Sequence, residues 1–134
     1  MEKLVKLELP FDMDVGAPIP KIIANENDVE ISYYIEYSDD RAFIKFEGLR
    51  QFKFGYPNEE AISGHDYFHL GLSPYDLYEV IDSKWIKSLT EKNRVHPYHT
   101  DEMFNNDRHF ILPLHDNTFE IIAISYETGR RDKK

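Results

Sequence analysis

The chain has 134 residues, a length that fits one domain able to bury about two-thirds of its unfolded surface. Apolar residues make up 41% and aromatic residues 14%, which excludes disorder, and the absence of cysteine excludes disulfides, thiolate metal sites and a thiol nucleophile. The formal charge is −9, and with residues 130–134 set aside 12 basic residues face 24 acidic ones, a balance of −12. Such a body repels nucleic acid and anionic membrane and attracts a basic partner.

KLVKLEL, residues 3–9, reads as a strand that Pro10 stops. The first twelve residues lack an apolar stretch of signal-peptide length, and no run approaches the roughly 18 residues of a membrane helix, so the cytoplasm is the expected compartment. Residues 11–28 contain Pro18 and Pro20 and are expected to be extended and irregular. VEISYYIEY, residues 29–37, alternates cleanly as a half-buried strand. AFIKFEGLRQFKF, residues 42–54, returns beside it, and Gly48 in its middle marks a bulge or bend that would correct the parity of Arg50.

Residues 55–74 read as a loop with one helical turn near Pro57, Glu59 and Glu60. LYEVI, residues 77–81, is a short strand. A helix over 83–93 follows, capped by Asp82 or Ser83, with Trp85, Ile86 and Leu89 as its apolar stripe. Residues 109–127 read as a β-hairpin turning at Asp116-Asn117. In that register His115 pairs with Thr118, Leu114 with Phe119, Leu112 with Ile121 and Phe110 with Ala123, giving one wholly apolar face. Apolar groups on the second face predict a central hairpin covered on both sides. Residues 130–134 are expected to form a disordered basic tail. The expectation is an α+β domain, mainly an antiparallel sheet of about six strands with one packed helix near 83–93.

The same register makes Glu120 the diagonal neighbour of His115, about 7 Å away by backbone. A carboxylate holding one imidazole nitrogen raises the basicity that a general base or a metal ligand needs, so His115 and Glu120 are the candidate catalytic and metal-binding pair. His109 lies about 13 Å from the Glu120 level along that strand and is expected to stand apart. Pro97 removes the helical meaning of the His96–His99 spacing. His65 and His69 fall in a loop between Gly64 and Gly71. Tyr56, Tyr67, Tyr75 and Tyr98, with Glu59 and Glu60, form the candidate binding surface, since tyrosines anchor interfaces efficiently.

Phosphate-binding loops, nucleophile elbows, calcium loops and zinc-finger spacings are absent. No cofactor is expected. A small, acidic, cysteine-free, aromatic-rich chain resembles in character bacterial immunity and antitoxin proteins, which neutralise basic toxins by charge-steered binding. The expected function is therefore a non-enzymatic protein-binding module with a basic protein as partner. The alternative is a small acid/base or metal-dependent enzyme that uses the His115–Glu120 pair.

Overall fold

A computed structural model describes residues 1–132 of the chain. Among them, strands β1 (Lys3–Leu7), β6 (Leu77–Ile81), β7 (Arg108–Pro113), β8 (Thr118–Ala123) and β5 (Gln51–Gly55) form one antiparallel sheet in that order. Strands β2 (Lys21–Ala24), β3 (Asp28–Tyr34), β4 (Arg41–Glu47) and β9 (Ser125–Arg131) form a second. One α-helix, α1 (Lys84–Asn93), completes a mainly-β α+β fold. No helix among the described residues is long and apolar enough to cross a membrane.

The two sheets pack face to face. In β3, Val29, Ile31 and Tyr33 are buried and alternate with half-buried Glu30, Ser32 and Tyr34. Ala42, Ile44 and Phe46 of β4 point the same way. They meet Phe110, Leu112, Leu114, Phe119, Ile121 and Ala123 of the other sheet in one core. Phe46 sits at its centre, 5.3 Å from the Phe110 ring and 5.6 Å from the Phe119 ring. A fully buried side chain of this size stabilises the fold by about 1.5–3 kcal/mol.

The sheets are joined by one bent two-stranded ribbon. β4 runs on into β5, and β8 runs on into β9; each half of the ribbon belongs to a different sheet. Glu47 pairs with Ser125 and Gln51 with Ile122, so the β4–β5 side carries one extra residue. The Arg50 N–H donates to the Ile122 carbonyl, and the Ile124 N–H to the Glu47 carbonyl, on either side of this bulge. Gly48 has φ +75°, and a Cβ there would stand 2.7 Å from Ile124 Cδ1. Only glycine meets both conditions, so the bulge expected from the parity of Arg50 is where the strands change sheet.

Three expectations are corrected. Residues 11–28 are not wholly irregular, because β2 pairs with β3 from Lys21–Ser32 to Ala24–Val29. Arg130 and Arg131 belong to β9 rather than to a disordered tail, held by Asp40 and Glu30 respectively; residues 133–134 lie outside the described residues. The third concerns the 109–123 hairpin. Pro113, not His115, pairs with Thr118, and Leu112 pairs with Phe119, so the register is shifted by two residues. The connection spans residues 114–117 and is closed by the Leu114 N–H on the Asn117 carbonyl, 2.7 Å. A two-residue turn at Asp116-Asn117 would have left Pro113 inside the ladder opposite Glu120, where its missing N–H costs a bond; the longer turn puts it at the strand end. A shift of two preserves parity, so the apolar face is the expected one.

The second face of the five-stranded sheet is covered too. Ser83 caps α1 by accepting the Ile86 N–H at 3.2 Å. The helix and the segment after β5 lie over β6, β7 and β8. A smaller apolar cluster of Leu72, Tyr78, Val80 and Ile111 fills part of this outer layer, and a cleft fills the rest.

Candidate functional site

The hairpin register decides what surrounds Glu120. With Ile111 opposite Glu120 and Ile122 opposite His109, His109 becomes the diagonal neighbour of Glu120 on the outer face. Its Nε2 lies 3.0 Å from Glu120 Oε1. A second imidazole arrives from the segment after β5. Asn58 caps a 3-10 turn over Glu59–Gly64 by accepting the Ala61 N–H, and His65 follows as its C-cap. His65 Nε2 stands 2.9 Å from Glu120 Oε2. One carboxylate therefore accepts from two imidazoles, one on each oxygen.

The far ring nitrogens are also partnered. His65 Nδ1 accepts the Tyr67 backbone N–H at 3.0 Å, which places its ring proton on Nε2, facing Glu120. His109 Nδ1 lies 2.8 Å from Ser83 Oγ. Ser83 already accepts the Ile86 N–H, so its own proton is free to go to Nδ1, and the His109 ring proton also faces Glu120. Glu120 is 7% exposed and His109 1%. Burial pushes the Glu120 carboxyl up. The His109 and His65 hydrogen bonds and the Lys53 charge outweigh it and hold the group at about 2.

Aromatic rings frame this floor. The Trp85 and His109 rings stand nearly perpendicular with their centres 5.1 Å apart, and Tyr67 packs on both imidazoles at 5.6 and 5.9 Å. The Tyr67 hydroxyl donates to Glu2, whose carboxylate also accepts the Lys84 N–H. Burial, together with Glu2, pushes the Tyr67 phenol upward. Above the floor opens a cleft of about 1090 Å³, lined by Lys53, Tyr56, His65, Tyr67, Trp85 and Glu120 among others. Lys53 reaches in from β5, with Nζ 3.8 Å from Glu120 Oε2 and 4.7 Å from the centre of the Trp85 ring.

The structure redistributes the residues expected to form the site. His115 does not join Glu120. Its Nδ1 lies 3.1 Å from Glu59 Oε2 and 3.2 Å from the Tyr75 hydroxyl, and that hydroxyl donates to Glu59 at 2.8 Å. The Tyr75 phenol is pushed up to about 12 by burial and by this carboxylate. The triad His115–Glu59–Tyr75 ties the start of the 3-10 turn to the hairpin tip. Of the four tyrosines, Tyr56 and Tyr67 line the cleft, Tyr75 sits at the hairpin tip, and Tyr98 lies beyond α1 against the His96 ring. Glu60 is exposed on the 3-10 turn.

The remaining histidines do not converge. His99 takes Asn93 and Asp101 as its partners, and His96 accepts the Tyr98 N–H. His69 lines the cleft without joining the Glu120 pair. No group of three or more His, Cys, Asp or Glu side chains among the described residues is arranged to hold a metal ion. The histidines of the Glu120 network present N–H donors, not lone pairs, to the cleft floor. His109 is the partner that the expected register kept apart from Glu120, and Pro113 is the local feature that favours the register needed to find it. No protein family, curated protein or solved structure matches the chain.

Proposed function

We propose that the protein is a non-enzymatic binding module that takes a cationic side chain of a basic protein into the cleft above Glu120. The observation that carries the reading is the position of Lys53. Its ammonium lies between a buried carboxylate and an indole face, at 3.8 and 4.7 Å. Those are the two elements that recognition of a partly desolvated cation requires. The Lys53 side chain is 63% exposed and enters from an edge strand, so it can swing out and yield the place.

The chemistry of the floor favours charge recognition over proton transfer. A carboxyl held near 2 has no proton to give at neutral pH and little basicity with which to take one. Both imidazoles are engaged at both nitrogens. The net charge of −9 would steer a basic partner toward the surface. A cytoplasmic neutraliser of a basic toxin, in the manner of a bacterial immunity protein, is the biological role that this chemistry fits.

A second reading has one specific observation in its favour. Ser83, His109 and Glu120 form a hydrogen-bonded row, 2.8 and 3.0 Å, with the group order of an acyl-transfer triad. Ser83, however, is buried, caps α1 and does not line the cleft above Glu120; it borders a separate, smaller cleft that neither His109 nor Glu120 lines. The row suits a scaffold better than a nucleophile.

The test is a titration of Trp85 fluorescence with arginine methyl ester. A saturable, salt-sensitive change is expected, and Lys53→Ala should bind about threefold or more tightly because it vacates the place. No saturable change in either protein would overturn the reading.

A further inference from the structure

We propose that the free edge of β5 is the docking strand for an extended basic segment of the partner, and that Gly55 is the gap through which an arginine or lysine of that segment reaches Glu120. The inference rests on the cleft reading and adds the conformation and place of the partner.

Among the described residues β5 is the outermost strand of its sheet and pairs with β8 alone. Its other edge leaves alternate backbone N–H and C=O groups open, the arrangement that strand addition uses. The other sheet edges are blunted. β1 carries Lys3 and Lys6, β9 carries the exposed Glu127, and β2 has four residues and follows Pro20. Charges, short strands and prolines are the usual guards against pairing. The one charge of β5, Lys53, is turned over the cleft to Glu120 and Trp85, away from guard duty. On the opposite face Phe52 and Phe54 are 37% and 40% exposed and flank the edge with apolar surface.

Gly55 pairs with Thr118 and lies on the face of Lys53, diagonal to Glu120. Its φ is not among the positive values of the chain, and a Cβ there would meet nothing within 4 Å. Neither backbone conformation nor packing asks for glycine. Glycine weakens a strand and marks places where a ligand or another backbone comes close. What it supplies here is an empty position on the cleft rim. A strand added at the usual spacing of about 4.8 Å would stand about 10 Å from β8. A residue facing Gly55 then lies about 12 Å from the Glu120 backbone along the diagonal, a distance that an arginine and a glutamate side chain together bridge.

Charge supports the same occupant. Glu2 and Asp66 line the cleft with Glu120, and beyond Gly55 the chain passes to Glu59 and Glu60, with Asp116 on the adjoining hairpin tip. A segment alternating apolar and basic residues would set the apolar ones beside Phe52 and Phe54 and the basic ones over the cleft.

The probe is an acetylated, amidated heptapeptide of alternating valine and arginine. Calorimetry should show binding, β5 amides should gain exchange protection, and Gly55→Val should weaken binding about tenfold or more while its urea midpoint does not fall below the native value. N-methylation of one alternate set of peptide amides should abolish binding, and of the other set should not. Binding to Gly55→Val within about twofold of native, or equal tolerance of both methylated sets, would overturn the inference. A peptide-free dimer with protected β5 amides would also overturn it, by placing a second copy on the edge. If arginine methyl ester still binds when these peptide results fail, only the docking strand falls. If neither probe binds, the cleft reading falls with it.

Discussion

Glu120→Gln removes the one charge that the fold holds on the cleft floor. Free glutamate titrates near 4.5; in the fold, burial raises that value, and the two imidazole N–H groups and Lys53 bring it down to about 2. Each pKa unit is worth about 1.4 kcal/mol, so the ionised carboxylate contributes roughly 3 kcal/mol to folding. The folded pKa lies below the unfolded one, so this contribution is complete above about pH 4.5 and is lost as pH falls toward 2. By pH 3 roughly 2 kcal/mol of it is gone. The glutamine amide cannot titrate. It also sets an N–H₂ donor against one of the imidazole N–H donors, so the variant should be less stable than native near neutrality. Urea unfolding at pH 5, 4 and 3, followed by the fluorescence of Trp85, reads both effects. The stability gap between native and variant should shrink by roughly 2 kcal/mol from pH 5 to pH 3. A gap that holds constant over that range would refute the account of Glu120 as a charge fixed by its histidines.

Ser83→Ala removes the α1 cap and leaves His109 Nδ1 without its donor; unfolding in urea should show a loss of about 2 kcal/mol, and a loss below about 0.5 kcal/mol would mean that the hydroxyl does not order His109. Gly48→Ala meets both a positive φ and the Ile124 side chain. It should cost more than about 1 kcal/mol, and adding Ile124→Ala should recover the clash but not the backbone strain; full recovery would remove the conformational argument for the bulge.

The parts of the fold visible in the sequence are those where burial is one-sided and local. β3 and β4 alternate because one face enters the core, and the apolar face of β7 and β8 is continuous for the same reason. Gly48 showed through because a parity error in its neighbours needs a bulge to resolve it. β2 was hidden, and so was β9 beyond Glu127, where the expected hairpin ended. Both are edge strands with little burial, so KIIA and SYETGRR carry no alternation to read. What holds the end of β9 is remote in sequence, Arg130 on Asp40 and Arg131 on Glu30 with the guanidinium of Arg131 over the Phe43 ring. Local pattern contains no trace of such partners.

The site depended on a finer quantity than the fold. Side-chain parity in a strand repeats every two residues, so a register error of two leaves every residue on its correct face and changes every neighbour. That is why the apolar face was legible while the partner of Glu120 was not. His115 and His109 sit on the same face, and only the length of the turn decides which of them stands diagonal to the carboxylate. Pro113 carries the deciding physics, since a proline is tolerated at a strand end and costs a ladder bond inside one. Applied to this hairpin, that rule excludes the two-residue turn, moves Glu120 beside His109, and frees His115 for Glu59 and Tyr75. His65 has no such local rule. It reaches Glu120 across 55 residues because a capped 3-10 turn and the Tyr67 N–H orient its ring over the sheet. The charge on the cleft floor is thus set by one turn length and one loop, and changing either should alter the Glu120 environment while the sandwich core stays intact.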